Sequence, residues 1–255
     1  CTIELRRQKA GSGELPAIAP LRAPAGRRFV LPYDAQGGRL QVFLLAADDS
    51  KPIGASFTLR DDNGKVVETR TLDMEPRVER IIELPSSTSG VALIRGVVEI
   101  SSQDGDLQVA ALRIRAGGGY AAVEPLALAT GDSSPVSQVI PRFTHGDGWT
   151  TAVTLVNTGA EPLPAAVVFR QADGTAVPLP LDSGESAADY SDVIPPGGSR
   201  LIQTSSEGRE RVDGWVEVIA SRSIAALAVL RNRRGEASEF EVSVPAAQPG
   251  QRRLA

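Results

Sequence analysis

Gly96-Val97-Val98-Glu99-Ile100 returns later in the chain as Gly214-Trp215-Val216-Glu217-Val218, and that return decides how the rest is read. Outward from it, Arg60-Asp61-Asp62-Asn63-Gly64 comes back as Arg170-Gln171-Ala172-Asp173-Gly174, and Val30-Leu31-Pro32 as Val139-Ile140-Pro141. The separations are 118 residues (96 to 214), 110 (64 to 174) and 109 (30 to 139), so order is kept while loops change length. Self-similarity of this kind marks a tandem duplication of one module. The copied pieces alternate apolar and polar residues and then turn, the period-two signature of half-buried strands. No histidine, cysteine or serine recurs among them, so what was duplicated is a scaffold.

Composition agrees. In 255 residues, 42% are hydrophobic but only 4% aromatic, with 25 Gly and 18 Pro, which suits short strands separated by many turns and disfavours long helices. Each copy of roughly 100 residues is large enough to bury a core. The 27 basic residues are scattered among 31 acidic ones for a net charge of -4, so there is no electrostatic footprint for nucleic acid. The longest apolar run, Ile224 to Leu230, is strand-sized and far below the roughly 18 residues of a membrane helix. The only cysteine is residue 1, which rules out an internal disulfide. A leading Cys1 matches the acylated end of a mature bacterial lipoprotein, and an arbitrary chain boundary is the equal alternative. Lipidation of Cys1 is the only membrane contact expected.

Residues 1–28 stand outside the repeat. Thr2-Ile3-Glu4-Leu5-Arg6 alternates as a strand with Ile3 and Leu5 on one face, and the Gly-, Ser-, Ala- and Pro-rich stretch after it reads as a spacer. Repeat one is expected over 29–129, a polar linker over 130–137, repeat two over 138–247 and a tail over 248–255. Short alternating segments with turns at Asp61-Asp62-Asn63-Gly64, Gln103-Asp104-Gly105-Asp106, Ala172-Asp173-Gly174 and Ser221-Arg222-Ser223 predict an all-β chain. The predicted architecture is two tandem immunoglobulin-like antiparallel β-sandwich domains preceded by an extended N-terminal segment.

Catalytic residues are expected to be absent. His145, the only histidine, sits in the Gly-rich stretch Thr144-His145-Gly146-Asp147-Gly148 and is expected to be a solvent-exposed loop residue, and no GxSxG occurs. One histidine and one terminal cysteine make no metal cluster. Asp104, Asp106 and Asp147 are explained as turn formers before they are explained as calcium ligands, so no metal and no cofactor is expected. The interaction candidates are Ile3 and Leu5, the tryptophans and an arginine pattern. Trp215 replaces Val97 and alternates with Glu217, which puts it on the outer face, and Trp149 opens a strand. Both suit glycan stacking or a protein contact, against the plainer reading that they cap the core. Arg113 and Arg115 read as recurring in Arg231 and Arg233, where alternating arginines are expected first to protect a sheet edge and second to pair with acids on a neighbour.

Ile140-Pro141-Arg142-Phe143-Thr144-His145-Gly146-Asp147-Gly148-Trp149-Thr150-Thr151, followed by Thr154-Leu155-Val156-Asn157, Asp173-Gly174, Pro195-Pro196-Gly197-Gly198-Ser199 and Gly214-Trp215-Val216, resembles immunoglobulin-like modules of secreted proteins from Acidobacteria-type soil bacteria. The likeness covers about residues 139–245; repeat one joins it through the internal alignment. It implies a setting at the cell surface or outside the cell, and modules that act as spacers, adhesive units or appendages, with no catalytic residue to carry over. The expected function is therefore a non-enzymatic extracellular structural or adhesive protein. It would associate with itself or another extracellular protein, with strand addition by the N-terminal segment as a route to filaments. A carbohydrate-binding or accessory module of an extracytoplasmic complex is the alternative, with a glycan as partner.

Overall fold

The computed structural model describes residues 2–3, 21–22, 25–35, 38–46, 51–76, 78–84, 95–115, 120–128, 135–208, 210–234 and 238–247. Among them the regular structure is entirely β, in antiparallel sheets. The first half holds β4 (Arg28–Asp34), β5 (Gly38–Ala46), β6 (Ile53–Asp61), β7 (Val66–Met74), β8 (Arg80–Leu84), β9 (Arg95–Ser102), β10 (Leu107–Arg115), β11 (Tyr120–Val123) and β12 (Leu126–Ala127). The second holds β13 (Val136–His145), β14 (Trp149–Val156), β15 (Leu163–Arg170), β18 (Asp189–Ile194), β19 (Ser199–Gln203), β20 (Val212–Ala220), β21 (Ala225–Arg234) and β22 (Ser238–Pro245). A small hairpin, β16 (Leu179–Pro180) and β17 (Ser186–Ala187), is inserted between β15 and β18.

The two halves repeat one strand order. In the first, β7-β6-β9-β4 forms one sheet and β8-β5-β10-β11 the other; in the second, β18-β15-β20-β13 and β19-β14-β21-β22 do the same. Even the closing strand recurs, because β12 pairs with β4 and Ala247 makes a single bridge to Val139 on β13. Period-two alternation sends Phe29, Leu31, Leu44, Phe57 and Ile100 from both sheets into one core, and Ile140, Phe143, Leu155, Phe169 and Val218 into the other. Burying each such side chain stabilises by about 1.5–3 kcal/mol.

The residues that repeat in sequence build one recurring joint. The turn after β6 closes with Gly64 N donating to the Asp61 carbonyl, and its counterpart with Gly174 N donating to Gln171, both glycines being left-handed at φ 82° and 87°. Arg60 donates to the Gly64 carbonyl and Arg170 to that of Gly174, while Glu99 and Glu217 hold the same arginines across the sheet. Gly96 and Gly214 lie against the Arg60 and Arg170 carbonyls, so that a Cβ would fall 1.9 and 2.0 Å from the oxygen. The duplicated signature is thus a hairpin clamp.

Three expectations need correcting. Register pairs Val42 with Ala111 and Val153 with Ala228, so the second hairpin loop is one residue shorter, and Arg113 corresponds to Leu230 while Arg231 corresponds to Ile114. A one-residue slip reverses faces, so the two arginines are not equivalent. Nor do they guard an edge, because β10 lies between β5 and β11, and β21 between β14 and β22. Finally, His145 is not exposed: it ends β13 with 4% of its surface accessible.

At the N-terminus, β1 (Thr2–Ile3) pairs with β2 (Leu21–Arg22) of the same chain, and β3 (Ala25–Gly26) pairs with the start of β10. Cys1, Leu5, the linker from 129 to 134 and the tail from 248 lie outside the described residues.

Candidate functional site

The most distinctive chemistry lies where the halves meet. The outer face of β14 and β21 is as apolar as the inner one: Ala152, Thr154, Val156, Ala225 and Leu227 are all buried. A sheet covered on both sides reads as a continuous apolar run, and Ile224 to Leu230 is that run. Some of the cover comes from repeat one, as Val30 on β4 and Val97 on β9 cluster with Val156 and Ala225, with Leu126 and Leu128 packed against them.

Beside this patch the hairpin turn of repeat one seats in the Pro195-Pro196-Gly197-Gly198 turn of repeat two. Ser199 N donates to the Asp62 carbonyl at 3.0 Å, and Ser199 Oγ donates to the Asp62 carboxylate at 2.7 Å. The backbones touch: a Cβ on Gly64 would fall 1.9 Å from the Pro196 carbonyl, and one on Gly198 2.6 Å from that of Asp62. Farther along, Ser243 on β22 donates to the Ala122 carbonyl and accepts from Glu124 N, so one hydroxyl stitches the edge strand β22 to its neighbour β11.

Between these contacts lies a charge cluster, formed among the described residues by two arginines and two acids. Arg113 of repeat one donates to Glu241 of repeat two at 2.9 Å and lies 3.7 Å from Asp34; Arg231 of repeat two reaches Asp34 at 3.2 Å and Glu241 at 3.2 Å. The Glu241 side chain is 2% exposed and that of Arg113 9%. Each arginine meets one acid from each half, so the pairing holds only while the halves are in place. A cavity of about 50 Å³ opens beside it, lined also by Tyr33, whose hydroxyl is buried without a partner among the described residues. Burial, and then the Asp34 carboxylate, push that hydroxyl above the usual phenol range.

The other candidates are dispersed. Trp149 begins β14 and packs on the second core, edge to face with Phe240 at 5.9 Å and under the Arg211 guanidinium. Trp215 lies on β20, in the other sheet, half-buried beneath Arg170 on the outer face. The two indoles share no platform. Arg233 is exposed, and Arg115 ends β10. His145 donates to the Ser205 carbonyl, and its buried Nδ1 has no partner among the described residues; burial, opposed by that hydrogen bond, lowers its pKa. Among the described residues, no group of three or more His, Cys, Asp or Glu could hold a metal. Likewise, no helix there is long and apolar enough to cross a membrane.

Sequence reasoning missed Asp34, Glu241 and Tyr33, and it singled out the Pro195-to-Gly198 turn without giving it a contact to make. The one available signal was the doubly apolar run from Ile224 to Leu230, which announces a sheet covered on both faces.

No family profile and no curated protein matches the chain. Among solved structures, a β-glucuronidase from glycoside hydrolase family 2 aligns over 85% of this chain and 23% of its own, at 10% identity and a TM-score of 0.15. The structure of the infectious bursal disease virus Gt strain aligns over 92% of this chain and 70% of its own, at 11% identity and a TM-score of 0.12. The chain thus spans under a quarter of the glucuronidase. Scores this low carry no information about fold or role.

Proposed function

We propose that this is a non-enzymatic structural or adhesive protein of the bacterial cell surface or exterior, built as two tandem immunoglobulin-like sandwiches that act as one rigid body. The observation that carries this reading is the joint. Its apolar patch, interlocked turns and shared charge cluster remove the freedom that two modules on a flexible linker would have. A stiff body of inert sandwiches serves to space and present surfaces, and its activity lies in what those surfaces touch.

Self-association through the N-terminal segment belongs to the proposal. That segment alternates in sequence, and an extended segment can add to a sheet edge of another copy. Light scattering and electron microscopy of the full chain beside a chain lacking residues 1–28 test it. Assemblies that fall to single particles on deletion support the proposal, and an unchanged mass distribution defeats the claim of self-association.

A further inference from the structure

The Tyr33 hydroxyl sits at the joint with its hydrogen-bonding capacity unused. Tyr33 is 2% exposed, its ring lies in the first core, and its oxygen has no hydrogen-bonding partner among the described residues. Repeat two shows that the hydroxyl is dispensable for packing. After the bulge between Ile140 and Phe143, Phe143 faces Gly214 on β20 as Tyr33 faces Gly96 on β9, so a phenylalanine fills the same place, itself fully buried. A tyrosine buried there with an unsatisfied hydroxyl would cost stability that phenylalanine avoids.

The hydroxyl borders the cavity of about 50 Å³ shared with Asp34, Arg113, Arg231 and Glu241. That is room for more than one water molecule, each needing at least about 10–15 Å³ and two to four polar partners. Among the described residues, the other charged groups that line it are Asp62 and Arg95, one of each sign beside the two acids and two arginines, so this lining offers hydrogen bonds without a field that favours an ion.

We propose that this cavity is a binding site for a small cluster of ordered water, about two or three molecules, which bridges the Tyr33 hydroxyl to the charge cluster. The water is then a structural member of the joint. It satisfies the phenol, links it to the charged groups, and is shared between repeats because the groups that hold it come from both. The inference does not depend on what the protein adheres to.

Two measurements on the full chain test it together: thermal unfolding of Tyr33→Phe, and water-to-protein cross-relaxation in nuclear magnetic resonance. If water occupies the site, Tyr33→Phe strands it without a partner. The melting temperature then falls by about 2–4 °C, and slowly exchanging water shows cross-peaks to the Arg113 and Arg231 guanidinium protons. If the cavity is dry, Tyr33→Phe removes an orphaned hydroxyl and leaves the melting temperature unchanged or higher, with no such cross-peaks. That second result overturns the proposal and leaves the proposed function standing. Phe143→Tyr serves as the reference, since it adds the same oxygen in repeat two and should lower the melting temperature whether or not the joint is wet.

Discussion

Gly64 and Gly174 occupy the same place in the same turn with the same left-handed backbone, and their surroundings differ completely. A Cβ on Gly64 would strike the Pro196 carbonyl of the other repeat, whereas one on Gly174 would meet nothing within 4 Å. The first turn is a plug and the second is open. The socket differs as well, because Ile194 corresponds to Met74 and Ile202 to Ile82, which makes Val78 the counterpart of Gly198. Where repeat two offers a glycine to receive a turn, repeat one offers a branched side chain, 43% exposed. Trp215 likewise replaces Val97, which is buried in the joint. Gly198 and Val97 in the contact both have larger counterparts, Val78 and Trp215, in the other repeat, so this joint is not a template for stacking further copies. Under the proposal above, assembly runs instead through the N-terminal segment.

The largest effect expected from breaking this comparison is at the plug. Alanine at either glycine carries the left-handed penalty of about 1–2 kcal/mol, but Gly64→Ala must also push the backbones of the two repeats away from each other. Chemical denaturation should therefore show Gly174→Ala losing about 1–2 kcal/mol and Gly64→Ala at least about 4 kcal/mol, or a split into two transitions as the repeats separate. Equal losses would mean that the turn contact contributes nothing. Gly198→Val, which gives repeat two the residue of repeat one, should separate the halves as well and increase the radius of gyration in X-ray scattering.

Next in size is the charge cluster. Glu241→Gln removes the carboxylate shared by the buried Arg113 and the half-buried Arg231, and breaking a buried ion pair costs about 3–5 kcal/mol. Glu217→Gln removes the acid from the Arg170 clamp on the outer face of repeat two, where the side chains are 28% and 23% exposed. A partly exposed pair of that kind is worth about 1 kcal/mol or less. A loss at Glu241 no larger than at Glu217 would show that the repeats are not held by charge.

A smaller asymmetry sits at the end of β14. Asn157 is buried, donates to the Glu161, Ile194 and Pro195 carbonyls and accepts from Gly159 N; its counterpart in repeat one is Ala46. Asn157→Ala should cost about 1–3 kcal/mol, the usual toll of leaving buried groups unpaired.

Much of the fold was readable in the residues alone. Strand periodicity, the Asp-Gly turns and the internal repeat pointed to the all-β layout because those signals are local and each has a steric cause. What escaped was non-local. The slip that separates Arg113 from Arg231 is one residue of loop length, invisible to a pattern that still matches by eye and decisive for which face a side chain takes. Asp34 and Glu241 lie 207 residues apart (34 to 241), and nothing in either neighbourhood marks them as partners. His145 read as a loop residue because of the glycines after it. Those glycines instead make a tight hairpin, with Asp147 at φ 50° and Gly148 at φ 79°, which lets β13 run through to the histidine.

That histidine supplies the smallest and most specific prediction, because repeat one has Ala35 in its place, one residue beyond Asp34 as His145 is beyond Thr144. Burial lowers the His145 pKa below its ordinary value, so between the two values the unfolded chain takes up a proton that the folded chain refuses. Stability therefore falls as the solution is acidified below about pH 6.5, with a limiting slope near 1.4 kcal/mol per pH unit until the depressed value is passed. Asp213, drawn below the carboxylate range by Arg211 and Thr144 against a larger opposing effect of burial, extends the acid loss to lower pH. Replacing His145 with glutamine should flatten the upper end of this profile alone, while a change confined to repeat one, such as Ala35→Ser, should leave its shape as it was. If the His145→Gln protein keeps the full slope just below about pH 6.5, the acid sensitivity of repeat two comes from its carboxylates, and the buried imidazole is a packing residue like the alanine in its place in repeat one.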